Sequence, residues 1–216
     1  MLNIFRKFRE KKHNYRKSLA TGLTSRRIHQ LLFYNEIVNK VKHLEGCFVE
    51  CGVGWGRSAL MIAELINLFD KDKKFYLFDT FTGFPELSEK DQEVNFIHKG
   101  YLNAPKEYVI KFFENSLLSD DAKIIFKEGD IKKTLTNFDE DISLLHLDVD
   151  IHSSYDVALE LLKSRVVNGG AIIIDEYNSK RFSNIKKVVD NHLAKNKYDF
   201  YNSSYKYFNR AYFIKK

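Results

Sequence analysis

Prolines are nearly absent from this chain: 216 residues contain two, Pro85 and Pro105. No Pro-rich, repetitive or low-complexity linker divides the sequence, so it reads as one domain, large enough to bury a core without staples. Cysteines are as few, Cys47 and Cys51. They lie four apart on a predicted strand, where their Cα atoms would be roughly 13 Å apart at about 3.3 Å per residue. That is too far for a disulfide, and they read as reduced thiols of a cytoplasmic protein. No apolar run reaches the roughly 18 residues of a spanning helix. The first residues, "MLNIFRKFREKKHNYRKSL", lack the apolar core of a signal peptide. Two motifs are also missing: the Gly-x-x-x-x-Gly-Lys-Ser/Thr phosphate loop, and the aromatic Lys/Arg-Gly-Phe strand of RNA readers.

What is present is a globular composition, 44% hydrophobic and 14% aromatic. The net charge of +6 is unevenly placed. Residues 1–27 carry nine Lys or Arg against the single acid Glu10, a local charge of +8, so the remaining body stands at −2. We read residues 1–23 as a solvated basic arm ahead of a domain over 24–216. Contact with a membrane surface or a polyanion is the alternative, and no nucleic-acid partner is expected. Whether the chain forms a homo-oligomer is left open.

Residues 24–43 have a helical pattern, capped by Thr24 or Ser25, with Ile28, Leu31, Leu32, Ile37, Val38 and Val41 on the apolar face. "CFVECG" reads as a strand and 58–69 as a helix. "KFYLFD" is a second strand, ending at Asp79. Residues 81–104 read as a long loop with some helix and 106–118 as a helix. "AKIIFKEGD" is a third strand, ending at Asp130, with a short helix over 131–137. The fourth strand ends at Asp148, and a helix over about 153–166 leads to the fifth, "AIIIDEY". Residues 183–195 read as a helix. The tail from Tyr198 to Phe213 alternates aromatic and polar residues, as two antiparallel strands do. The implied fold is α/β: a doubly wound, Rossmann-like, seven-stranded sheet, mostly parallel, with an antiparallel strand near one edge.

Two features carry chemistry. The first is the turn in "FVECGVGWGRS", with glycines at 52, 54 and 56. Glycine lets a backbone approach a ligand and take positive φ, and the following helix start at Ser58 offers amide groups. The dinucleotide fingerprint places its third glycine one position later. Glu50 can neutralise a cationic cofactor, Asp79 can accept from both hydroxyls of a ribose, and Asp130 can meet an adenine amino group. An all-acidic rim repels a pyrophosphate and tolerates a sulfonium cofactor such as S-adenosylmethionine.

The second feature is the pair of strand-end acid groups, Asp148 and Asp175–Glu176. Two strands joined by a single helical crossover are parallel neighbours, so these acids stand side by side at the ligand-binding edge of the sheet. Three oxygen ligands suit a hard divalent cation; the plain alternative is helix caps or solvated acids. His146 and His152 are rival bases to an aspartate. His146, within the strand, is the better candidate for a packed residue, and His152, past its end, for a base.

Together, "FVECGVGWGRS", "YLFDTFTGFPE" and "LDVDIHSSYDVALELLKSRVVNGGAIIIDEY" resemble the macrocin O-methyltransferase family of class I, S-adenosylmethionine-dependent enzymes. The resemblance covers roughly residues 24–195. It implies methylation of a sugar hydroxyl with magnesium, on a sugar, nucleotide-sugar or glycan acceptor. It further implies that Asp148, Asp175 and Glu176 hold the metal and that Asp148 doubles as base. Two residues depart from the family pattern: Glu176 replaces the second Asp of the pair, and His152 stands where Tyr is usual. Other classes on the same sheet are a catechol-like small-molecule O-methyltransferase, a nicotinamide-dependent oxidoreductase and an RNA-directed module using the basic arm.

Overall fold

The computed structural model describes residues 24–69, 72–92, 96–116 and 123–216. The basic arm, residues 1–23, lies outside the described residues. The chain alternates helix and strand: α1 (Ser25–Val41), β1 (Cys47–Cys51), α2 (Arg57–Phe69), β2 (Lys74–Asp79), α3 (Lys106–Glu114), β3 (Lys123–Glu128), α4 (Ile131–Thr134), β4 (Ile142–Leu147), α5 (His152–Leu162), β5 (Val166–Ile174), α6 (Ile185–His192), β6 (Tyr198–Asn202) and β7 (Ala211–Lys215). The strands form one seven-stranded sheet in the order β3-β2-β1-β4-β5-β7-β6. β1 to β5 pair in parallel. β7 enters antiparallel beside β5, and β6 closes the edge antiparallel to β7. The expected architecture, including an antiparallel strand near one edge, is the observed one.

The sheet is buried on both faces, as a parallel sheet with helical crossovers must be. One face carries Val49, Leu145 and Ile172 against α4, α5 and α6. The other carries Phe48, Leu144 and Ile173 against α1, α2 and α3. Strand order reverses between β1 and β4, and this switch point opens a crevice at the carboxyl ends of the strands.

Local details differ from the sequence reading. The buried stripe of α1 is Phe33, Tyr34, Ile37, Val38 and Val41. Ile28, Leu31 and Leu32 are 44%, 41% and 42% exposed, because the first turns of α1 project past the sheet toward the crevice. The fourth crossover helix stops at Leu162 and β5 starts early, at Val166, running through Gly169 and Gly170. The described residues of 81–104 contain no helix or strand. Among them Asp91 is a buried anchor: it accepts from Ser88 N, Ser88 Oγ and Ser153 N at 2.8, 2.7 and 2.9 Å. Burial opposes its ionisation, but the bonds from Ser88 and Ser153 outweigh that and hold its carboxyl below the usual range.

Both cysteines are buried and unbridged on β1. Burial, then the charge of Glu140, pushes the Cys47 thiol up to about 12, so it stays protonated and unreactive. Among the described residues, no helix is long and apolar enough to cross a membrane.

Candidate active site

The glycine turn follows directly from the neighbouring strands. Asp148 N donates to Cys51 O at 2.9 Å. This brings the end of β4 so close to Gly52 that a Cβ there would lie 1.9 Å from the Asp148 carbonyl oxygen. Gly52 is therefore a packing requirement. Gly54 is different: with φ +50, its Cβ position meets nothing within 4 Å, because the backbone there faces open cavity. Asp79, closing β2, fastens the turn. Its Oδ2 accepts from Val53 N and Gly54 N at 2.7 and 2.9 Å, and its Oδ1 from Phe81 N at 2.7 Å. A ribose hydroxyl donating to Asp79 has to share these oxygens with three backbone groups.

The cavity beside this turn has a volume of 430 Å³, in the range that holds a nucleoside-type cofactor. Gly52, Gly54, Ser58, Asp79, Asp130, Asp148 and Asp175 all line it. Thr80, Gly83, Tyr101 and Leu102 close one side, so the long segment after β2 does reach the site. Asp130 does not end β3, which stops at Glu128. It is the N-cap of α4, its Oδ1 accepting from Lys132 N at 3.0 Å. The positive φ of Gly129, +137, turns the chain off the strand before Asp130 is reached. The rim is also not all acidic: Arg26, Arg27, Arg57 and Arg210 share the wall. They come from α1, from the start of α2 and from the residue preceding β7, which only tertiary folding brings to one place.

Glu50 lies behind the wall, fully buried, with Ser58 Oγ donating to its Oε1 at 2.5 Å. His146 is buried beside it, its Nδ1 3.6 Å from Glu50 Oε1 and its ring edge-on to Tyr34 at 5.4 Å. This is the packed position expected for His146. His152 opens α5 and is not on the cavity wall.

The acid cluster forms at the parallel ends of β4 and β5. Leu147 pairs with Ile174, so Asp148 and Asp175 emerge as neighbours. Asp150 joins them on a tight turn with φ +59, closed by Ile151 N donating to Val149 O at 2.6 Å. A left-handed non-glycine residue costs of order 1–3 kcal/mol, and such strain concentrates at functional sites. Oxygens of Asp148, Asp150 and Glu176 lie within 4.8 Å of one another; His146, Asp148 and Asp175 form a second such set. The two acids of the Asp175–Glu176 pair have different partners. Arg210 Nε donates to Asp175 Oδ1. Glu176 Oε2 is in hydrogen-bond contact with Tyr155 Oη, which donates to the Leu147 carbonyl at 2.9 Å.

The electrostatics are those of a site short of positive charge. Burial, then the charge of Asp175, pushes the Asp148 and Glu176 carboxyls well above the usual range. The same two causes raise Asp150 to about 7, against the pull of Arg181 and Arg210. Arg210 is the one cation bonded to the cluster among the described residues, and those acids hold its guanidinium above its ordinary pKa despite burial. A divalent cation relieves this repulsion, and an all-oxygen set favours a hard one.

A sequence reading confined to motifs missed Arg210, Tyr155 and Asp150 as parts of the cluster. Asp150 had a visible signal, the Asp-x-Asp spacing with Asp148. Arg210 becomes a partner of Asp175 only because β7 pairs antiparallel with β5, placing Ala211 opposite Ile174.

A doubly wound sheet with a glycine turn at its switch point and an acid cluster one strand away defines a cofactor-binding α/β protein of the methyltransferase type. The chain belongs to the macrocin O-methyltransferase family: residues 5–200 match the model of Macrocin-O-methyltransferase (TylF). Over 139 residues it is 32% identical to 8-demethyl-8-(2,3-dimethoxy-alpha-L-rhamnosyl)-tetracenomycin-C 4'-O-methyltransferase of Streptomyces olivaceus, covering 61% of this chain and 53% of that protein. Over 161 residues it is 28% identical to demethyldecarbamoylnovobiocin O-methyltransferase of Streptomyces niveus, covering 71% and 60%. The matches thus span little more than half the length of these curated relatives. The solved structure of the O-methyltransferase NovP superposes with a TM-score of 0.76 at 25% identity, covering 88% of this chain and 80% of that one.

Proposed function

We propose that this protein transfers a methyl group from S-adenosylmethionine to a hydroxyl of a sugar or glycan-type acceptor, with a divalent cation such as magnesium held by Asp148, Asp175 and Glu176. The observation that carries this reading is one cavity joining the glycine turn to a buried carboxylate cluster that Arg210 balances only in part. The family supports it, as do the two Streptomyces relatives, both named as O-methyltransferases and one for a rhamnosyl substrate. Asp150 belongs with the metal ligands on the geometry, since its oxygens fall in the same set as those of Asp148 and Glu176.

The residues divide the work. The open space at Gly54 lets the cofactor approach the backbone, and Asp79 holds the turn while accepting from a ribose hydroxyl. Held by Asp148, Asp175 and Glu176, a divalent cation would supply Lewis-acid chemistry, lowering the pKa of the acceptor hydroxyl. Asp148, at the junction of cluster and cavity, takes the hydroxyl proton. Arg210 orients Asp175, and Tyr155 fixes Glu176. Asp79→Ala is expected to weaken S-adenosylhomocysteine binding by about 1.5–3 kcal/mol, the scale of a charge-assisted hydrogen bond. Unchanged affinity in calorimetry rejects the ribose placement.

The direct test is transfer of labelled methyl from S-adenosylmethionine to a panel of free sugars, nucleotide-sugars and sugar-bearing natural products. A labelled O-methyl on a sugar ring is expected. Transfer to a catechol and to no sugar would sink the acceptor assignment.

A further inference from the structure

The arginines of the cavity are not equivalent. Arg210 is bound to Asp175. Arg26, Arg27 and Arg57 form no salt bridge among the described residues, yet all three line the cavity. Arg26 and Arg27 stand in the first turn of α1, and Arg57 opens α2. A helix N-terminus is the positive end of the backbone dipole and favours acids. Neither of these helices has an acid in its first turn. Arginines there work against the dipole, so helix stability does not account for them. Arg27 lies within reach of the other two charges: burial, then the charges of Arg57 and Arg26, lowers its pKa. The cluster is thus a concentrated positive patch on a cavity wall, beside the open space at Gly54. Trp55, between Gly54 and Gly56, lines the same wall and is 53% exposed. A large exposed indole there offers a stacking face.

We propose that Arg26 and Arg27, with Trp55 beside them, form a subsite for a phosphate or pyrophosphate ester carried by the acceptor. This rests on the methyltransferase reading and narrows it: the acceptor is a phosphorylated or nucleotide-linked sugar. Counting charges favours this over the cofactor alone. The cofactor has one carboxylate, which Arg57, directly after the glycine turn, can engage bidentately. Two positive charges remain, matching the roughly −2 of a phosphate monoester at neutral pH.

The test is calorimetric titration of the full chain with inorganic pyrophosphate and with uridine diphosphate, each with and without saturating S-adenosylhomocysteine. Both anions are expected to bind, more weakly as salt rises. A tighter fit for the nucleotide assigns the base to Trp55, and equal affinities assign recognition to the phosphates alone; either outcome supports the subsite. Arg27→Gln and the more exposed Arg26→Gln are each expected to lose about 10-fold or more in anion affinity, at the scale of a charged hydrogen bond. Arg27→Lys should keep part of it, and S-adenosylhomocysteine affinity should stay within about 2-fold. If the variants lose S-adenosylhomocysteine and not anion affinity, the arginines serve the cofactor carboxylate and the proposal falls. It also falls if neither anion binds the unmodified protein. If the anions bind and S-adenosylhomocysteine does not, the methyltransferase reading fails while the anion subsite stands.

Discussion

Asp148→Asn is expected to lower methyl transfer by at least about 10²–10⁴-fold, the range for loss of a general base alone. Asn is nearly the same shape, so the packing of the β4 end against Gly52 and the Cys51 carbonyl is kept. What changes is charge. The proton acceptor disappears, and a cation loses one of its ligands, so both proposed roles fail together. The same substitution removes one member of a mutually repelling cluster. The metal-free variant should therefore melt at the same temperature as the parent, or higher. This separates a chemical defect from a folding defect. Activity within tenfold of the parent, measured by labelled methyl transfer, would remove Asp148 from the mechanism.

Stripping divalent cations is expected to abolish turnover, by roughly 10³-fold or more if the ion supplies several kcal/mol. Magnesium or manganese should restore it. The acid cluster adds a pH signature. Asp150 is raised to about 7 in the metal-free fold, and Asp148 and Glu176 are raised as well. An acid that holds its proton more tightly folded than unfolded costs stability once pH climbs above its unfolded value. The metal-free protein should therefore lose stability between about pH 4 and 7. Cation binding needs the carboxylates ionised, so magnesium affinity should rise over the same window, and magnesium should raise Tm more at pH 8 than at pH 5.5. Turnover that survives chelation but is lost in His152→Ala would replace this mechanism with a histidine base. That outcome would also require His152, now off the cavity wall at the start of α5, to move toward the acceptor.

Much of the fold could be read from local pattern. Apolar runs ending in Cys51, Asp79, Glu128, Leu147 and Ile174, separated by helical stretches, fix five parallel strands because hydrophobic period and connection length are local properties. The aromatic alternation of the tail marked β6 and β7 for the same reason. Boundaries were less legible. β5 begins at Val166, five residues before its apolar run, because pairing with Ile142 of β4 extends the strand. In α1, Phe33 and Tyr34 replaced Leu31 and Leu32 in the core. A helix carrying apolar residues on several sides does not say which side will meet the sheet.

By itself the sequence determined the order of the elements, the glycine turn and the acids at the strand ends. Each depends on residue type and spacing within a few turns of chain. Only the tertiary structure decided what surrounds those acids. The antiparallel entry of β7 beside β5 set Arg210 against Asp175, α5 delivered Tyr155 to Glu176, and the two helix starts turned Arg26, Arg27 and Arg57 onto one wall. These contacts join residues 21 to 35 positions apart or more, and no local period encodes them. They are consequences of strand order and helix packing, which fix the charge balance of the site only when the whole sheet is assembled.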